Sequence, residues 1–192
     1  MIIFAFRANM SIPQGKNNTK ESKNMSKYYI AYGSNLSVEQ MKDRTPDAKI
    51  VGTATLEGWG LTFKGCATIE PKEEHTTPVL VWEISDRDEK NLDRYEGFPS
   101  FYYKKDLEVT VTPLEGGEPM KLTAMVYIMD ERRPYRLPSL YYYNVLVEGY
   151  KAFGFDRQKL TESVAESLNW DYAKALEKEY ARAFGKEGKH HV

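Results

Sequence analysis

The order of the segments predicts an α+β domain rather than a doubly wound α/β one. Strand-like runs fill most of residues 28–129 and join through hairpin turns or one short helix, while helical patterns gather after Ser139. One apolar, aromatic run, Tyr28 to Leu36, stops abruptly at Gly33-Ser34-Asn35 and passes at once into a helix start. With 192 residues the chain can bury one sizeable core and carry a few peripheral helices.

Taken in order, Ser37-Val38-Glu39-Gln40 has the spacing of a capping box, Val38 and Met41 lie three apart, and Pro46 ends that helix. Lys49 to Phe63 alternates at Val51, Thr53 and Thr55, with Gly52, Gly58 and Gly60 marking bends or bulges. Cys66 to Ile69 reads as a short strand closed by Pro71, and Lys72 to Thr77 as a charged loop. Pro78 to Ile84 has the near-continuous hydrophobicity of a central strand. Ser85 caps a short helix with Asp86 and Asp88 in its first turn, Leu92 and Tyr95 as its buried stripe, and Gly97 as its stop. Phe101 to Thr112 alternates as a strand, Glu115-Gly116-Gly117-Glu118 is a hairpin-type turn, and Leu122 to Met129 returns. Pro134 and Pro138 frame an irregular link. Ser139 caps a helix with Tyr142, Leu146, Gly149 and Phe153 on one face, ended by Gly154. Asp156 opens another helix, and Asp171 to Phe184 forms a last amphipathic segment.

The bulk numbers exclude several classes. Twenty-seven basic residues against 28 acidic ones leave a net charge of −1 with no block of either sign, which argues against nucleic acid or an anionic membrane as main partner. No apolar run reaches the ~20 residues that span a bilayer. A single cysteine, Cys66, excludes an internal disulfide and fits a reducing cytoplasm. Three histidines, two of them at the extreme C-terminus, do not make a zinc site with it. Residues 1–24 read as a disordered leader or start-site extension, because Met25-Ser26-Lys27 looks like a natural beginning. Residues 25–170 form the folded domain and 171–192 a C-terminal amphipathic helix and tail. That helix is expected to pack on the domain, with a weak homodimer contact as the minority reading.

Two places carry candidate chemistry. A strand that ends in a tight turn of small residues at a helix start leaves backbone N–H groups facing out of one end of a sheet. Such a turn receives a carboxylate or a developing oxyanion. The second place is Glu96, at the C-terminal end of the helix stopped by Gly97.

Five separated stretches, in this order, resemble the gamma-glutamylcyclotransferase-like (AIG2-like) family. They are Tyr32-Gly33-Ser34-Asn35-Leu36, Gly65-Cys66-Ala67-Thr68-Ile69, Leu92-Asp93-Arg94-Tyr95-Glu96-Gly97, Tyr103 with the basic pair Lys104-Lys105, and Pro138-Ser139-Leu140-Tyr141-Tyr142. The resemblance covers about residues 27–155. It implies a small mixed β-barrel of about six strands with flanking helices. It also implies an enzyme that closes the glutamyl unit of a small γ-glutamyl amide to 5-oxoproline and releases the amine, with no metal, nucleotide or other cofactor. Glu96 then becomes the general acid/base. Tyr29, Ile30, Ala31, Tyr32, Gly33, Ser34, Asn35 and Leu36 become the substrate-binding segment, with Tyr103 and Tyr127 as pocket walls. Asn35 after Tyr-Gly-Ser departs from the glutathione-specific cyclotransferases, so glutathione is not the expected substrate.

Each assignment has a plainer rival. Glu96 alone reads as a solvated helix-end carboxylate; placed at the negative helix end among aromatics, its pKa is expected to rise. Strand alternation expects one of Tyr29 and Tyr32 to be an ordinary core aromatic. Asn35 serves equally to stabilise the turn, and Tyr103 and Tyr127 to fill the barrel. Asp93 reads as a solubilising charge and the Tyr141–Tyr143 run as core packing. Ser34 lacks the Gly-x-Ser-x-Gly setting of a hydrolase nucleophile. Arg132, Arg133 and Arg136 either meet a substrate carboxylate or face water. Two functional rivals remain: a non-catalytic carboxylate-binding module, and a cyclotransferase acting on a γ-glutamylated biosynthetic intermediate.

Overall fold

The computed structural model describes residues 27–169. The expected leader at 1–24 and the amphipathic segment at 171–184 lie outside the described residues. Five strands, β1 (Lys27–Ala31), β2 (Lys49–Phe63), β3 (Ala67–Ile84), β4 (Tyr102–Pro113) and β5 (Met120–Met129), close a barrel in the order β1-β3-β2-β4-β5. Every pairing is antiparallel except the closing one, where β1 runs parallel to β5 at Tyr29↔Met125 and Ile30↔Val126. Helices α1 (Val38–Arg44), α2 (Asp86–Glu96) and α3 (Leu140–Ala152) flank it, and residues 157–169 are also helical. No helix among the described residues is long and apolar enough to cross a membrane.

The barrel therefore has five strands, not six. The two strands expected at 66–69 and 78–84 are parts of one 18-residue strand, whose pairing with β2 holds on both sides of the charged stretch, up to Pro71 and again from Thr76. Lys72 to His75 bulge out of the ladder opposite Gly58, and Glu73, Glu74 and His75 are exposed there, as their polarity expects. Pro71 lies opposite Trp59, where β2 slips register between Glu57 and Trp59, and a bulge is where a strand tolerates proline. Gly58, at φ 73°, supplies that slip, as the glycine spacing predicts.

The interior is aliphatic. Ile30, Phe63, Ile69, Leu80, Val81, Val111, Val126 and Ile128 are all essentially without solvent exposure. Val79 to Trp82 are buried at four successive positions, which accounts for the unbroken apolar run: β3 is a central strand covered on both faces. The caps follow the sequence reading. Ser37 accepts the Gln40 N–H, Ser85 and Asp88 form a reciprocal capping box, Ser139 accepts the Tyr142 N–H, and Gly97 closes α2 in the left-handed region. One part of α2 differs. Leu92 is fully buried but Tyr95 is 48% exposed, because it lies over the Arg44 side chain rather than over the core.

After β1 the chain makes a single 3-10 turn, Ser34–Leu36, and α3 packs on it. Gly149 is the contact point: a Cβ there would stand 2.6 Å from Leu36 Cβ, too close for either to remain in place. Gly149→Ala is predicted to cost about 1–3 kcal/mol through overpacking. Calorimetry should find a lower Tm; an unchanged Tm would mean that the turn is not held by this contact.

Candidate active site

The end of β1 brings both early tyrosines to one cavity. Tyr29 lies in the strand, but the strand stops at Ala31, so alternation no longer governs Tyr32. Both rings line a small cavity of about 30 Å³, together with Gly33, Ser34, Asn35, Ala67, Glu96, Tyr102, Tyr127 and Tyr142. The expectation that one of Tyr29 and Tyr32 would be only a core aromatic is thus not met. Ile30, Ala31 and Leu36 are buried in the core behind the cavity and do not line it. Tyr103 is also outside: its hydroxyl donates to Glu131 at 2.6 Å at the surface. Its neighbour Tyr102 takes the inward position, since successive strand residues face opposite ways, and donates to the Ala67 carbonyl at 2.9 Å.

The turn has a defined supply of donors. The Leu36 and Ser37 N–H groups return to the Gly33 and Ser34 carbonyls, both at 3.0 Å. The earlier N–H groups have no intrahelical acceptor, as at any helix start. Gly33 matters for access, because a Cβ there would come within 3.1 Å of the Tyr142 hydroxyl. That hydroxyl itself accepts the Ala67 N–H at 3.1 Å.

Across this cavity stands Glu96, at the last position of α2. Asn35 Nδ2 donates to Glu96 Oε1 at 3.0 Å and to the Tyr29 hydroxyl at 2.7 Å. Asn35 Oδ1 in turn accepts from Arg44 Nη1. Burial disfavours the charged carboxylate and lifts the Glu96 pKa from its ordinary 4.5 to about 7. The Asn35 hydrogen bond and the Arg44 charge oppose the rise without cancelling it. Desolvation, with no named contribution from the helix end, is therefore the cause. Tyr29, Tyr32, Tyr102, Tyr127 and Tyr142 all have their pKa values raised, chiefly by burial, and stay neutral at physiological pH.

Asp93 is not a solvated partner of Glu96. It accepts the Tyr127 hydroxyl at 2.6 Å and pairs with Lys104 at 2.7 Å, which fixes the Tyr127 ring on the cavity wall. Sequence reading missed Arg44, Tyr102 and Tyr142 as members or supports of the site. Tyr142 lay inside a quoted stretch but was read as packing; Arg44 carried no local signal, being one more basic residue in the last turn of an amphipathic helix. The residues of the 130s link are not on the cavity wall. Arg132 pairs with Asp130, the Arg133 guanidinium stacks on Phe101 at 3.7 Å, and the Arg136 backbone is tied to Phe63 and Gly65. Among the described residues no group of three or more His, Cys, Asp or Glu side chains is placed to hold a metal ion.

A family model described as "Gamma-glutamyl cyclotransferase, AIG2-like" matches residues 29–144, which contain every residue lining the cavity. Gamma-glutamylcyclotransferase of Bos taurus is 31% identical over 150 residues, 71% of this chain and 77% of that protein. The Homo sapiens gamma-glutamylcyclotransferase is 31% identical over 140 residues, 66% of this chain and 71% of its own length. Among solved structures, one described as gamma-glutamyl cyclotransferase superposes with a TM-score of 0.60 at 25% identity, covering 72% of this chain and 86% of the other. The structure of an uncharacterized Homo sapiens protein superposes at 0.58 with 27% identity over the same shares. With the family model spanning the barrel and the cavity together, the chain belongs to the gamma-glutamyl cyclotransferase, AIG2-like family of enzymes.

Proposed function

We propose that the protein cyclises the glutamyl unit of a small γ-glutamyl amide to 5-oxoproline and releases the amine, with Glu96 as the general acid/base. The observation that carries this reading is the half-buried Glu96 side chain facing the Gly33–Ser34 turn across one cavity. The similarity to enzymes named gamma-glutamylcyclotransferase supports the reaction class.

The chemistry follows from those two groups. The substrate's α-amino group is an ammonium at neutral pH, and it must lose a proton before it can attack its own side-chain carbonyl carbon. A carboxyl with a pKa of about 7 is part ionised at that pH and accepts the proton. The new C–N bond closes a five-membered ring, and the carbonyl oxygen gains negative charge. In this reading, backbone N–H groups of the turn donate to that oxygen or to the α-carboxylate. Glu96 then returns its proton to the departing nitrogen as the original amide C–N bond breaks, and the second proton of the ring nitrogen passes to the released amine, which leaves as its ammonium. Proton count and charge balance without any further reactant. Because the attack is intramolecular, a site that holds the glutamyl chain bent contributes part of the roughly 7–11 kcal/mol that orientation can supply.

Purified protein assayed on a panel of γ-glutamyl amides should release 5-oxoproline. Its kcat/KM should rise with pH through about 7 on the acid side, where Glu96 becomes a base. Glu96→Gln should lower turnover by about 10²–10⁴-fold, the range for a positioned acid–base group. Equal turnover by Glu96→Gln would remove the acid/base assignment.

Stability provides a check that needs no substrate. The folded protein holds the Glu96 proton up to about pH 7, whereas an unfolded glutamate releases it near 4.5. The native state therefore binds more protons between these values and loses stability as pH rises through them. Glu96→Gln escapes that loss. Denaturant melts should find it more stable than the parent at pH 8, by on the order of 2 kcal/mol, with the gap closing toward pH 4.5.

A further inference from the structure

Arg44 lies outside the cavity wall, yet its guanidinium reaches two residues that line it, Ser34 and Asn35. Nη1 donates to Asn35 Oδ1 and to Ser34 Oγ at 3.4 Å, and Nη2 donates to Gln40 Oε1 at 2.7 Å. The Tyr95 ring lies under the guanidinium carbon at 3.7 Å, and the Tyr95 hydroxyl meets Ser34 Oγ at 3.3 Å. The Arg44 carbonyl accepts Asn91 Nδ2 of α2 at 3.2 Å. The last residue of α1 thus ties together the turn after β1 and the helix that carries Glu96.

The consequence runs through one amide. An Asn side chain presents an acceptor on one side and two donors on the other. Arg44 has only donors, so it fixes the oxygen of Asn35 toward itself. Both N–H bonds of the amide then point at Glu96 Oε1 and the Tyr29 hydroxyl. Without Arg44 the amide is free to turn, and its oxygen would repel the carboxylate it now supports. We propose that Arg44 is a positioning residue for Glu96, acting through Asn35, which it locks as a hydrogen-bond donor to the carboxylate. This rests on the acid/base reading of Glu96 for its catalytic meaning but not for its physical one.

The charges around Glu96 leave the effect readable. The acids whose charge reaches it are Tyr29, Tyr32, Tyr102, Tyr127, Tyr142 and Cys66, from three strands, a helix and two turns. All are pushed up by burial and remain neutral near pH 7. Arg44 is the cation that acts on Glu96 from α1. Removing it takes away one positive charge and one oriented donor together, and both losses favour the protonated acid.

The test follows the Glu96 carboxyl carbon by NMR titration in the whole protein, so it does not require turnover. Its midpoint, near 7 in the parent, should move upward by about one unit in Arg44→Met. The acid limb of kcat/KM should move with it, and kcat should fall about 10-fold or more while KM changes little. Arg44→Lys keeps the charge and loses the fork, so its midpoint should rise less than that of Arg44→Met while kcat still falls. Should Arg44→Met not fold, Arg44→Lys and Gln40→Ala, which frees one arm of the fork, carry the same kinetic comparison. An unmoved midpoint in Arg44→Met, or unchanged kcat in all three variants, overturns the proposal. The parent and Glu96→Gln run alongside separate the two ideas. A parent inactive on every γ-glutamyl amide sinks the proposed reaction while the titration still decides on Arg44.

Discussion

Closure of the barrel through β1 is the constraint on which the site depends. β1 has five residues and sits between β3, antiparallel, and β5, parallel, with only two residue pairs in the parallel contact. A parallel partner cannot be reached by a hairpin, so the chain must leave the barrel end after Ala31 and travel. It leaves through the 3-10 turn, and α3 locks that turn in place from outside at Leu36 and Gly149. The turn is thereby held over one end of the barrel, at the rim where Tyr102 of β4 and Tyr127 of β5 also emerge. α2 fills the remaining side, and its final residue is Glu96. The carboxyl faces the turn because four strands and two helices converge on one rim, where the Asn35–Glu96 hydrogen bond joins the two.

The electrostatics of the cavity follow from that enclosure. A carboxyl among five tyrosine rings loses most of its hydration, and burial alone raises its pKa. Full compensation by a direct ion pair would return it to the ordinary carboxylate range and leave a weak base. Arg44 instead reaches Glu96 through Asn35, so its charge is felt without a salt bridge. The balance stops at about 7, close to the pH where a group both accepts and donates protons efficiently. Direct ion pairs are used nearby for a different purpose: Lys104 holds Asp93 at 2.7 Å and Glu89 at 2.6 Å, anchoring α2 to β4.

Much of this was legible in the sequence. Cap residues at Ser37, Ser85 and Ser139 and the stop at Gly97 mark helix boundaries through local hydrogen-bonding rules that no tertiary contact overrides. The pairing of the turn with Glu96 came from ordered motifs resembling a family, since sixty residues separate them and no periodicity links them. What failed was non-local. Lys72 to His75 are polar because they bulge out of the ladder, and such a bulge hides that one strand, β3, runs on both sides of it. Alternation placed Tyr29 and Tyr32 on opposite faces because it presumed a strand that ends one residue earlier than Tyr32. Tyr95 obeyed the helical period but met a guanidinium instead of the core. Tyr103 enters with the basic pair Lys104-Lys105 of a motif, which carries no facing information, and the adjacent Tyr102 is the one that turns inward.

The tyrosine lining has a meaning of its own under the proposed reaction. Phenols displaced upward in pKa cannot exchange protons with a substrate amine at neutral pH, so they do not compete with Glu96 as bases. Several are already committed as donors: Tyr32 to the Tyr127 carbonyl, Tyr102 to the Ala67 carbonyl and Tyr127 to Asp93. A wall of aliphatic residues would desolvate Glu96 equally but would take these donors away from the two carbonyls and from Asp93. A wall of charged residues would pair with Glu96 and pull its pKa back down. Tyrosine satisfies both demands, since its ring excludes water and its hydroxyl settles the polar edge. Glu96 is left as the group on this wall whose charge changes near pH 7.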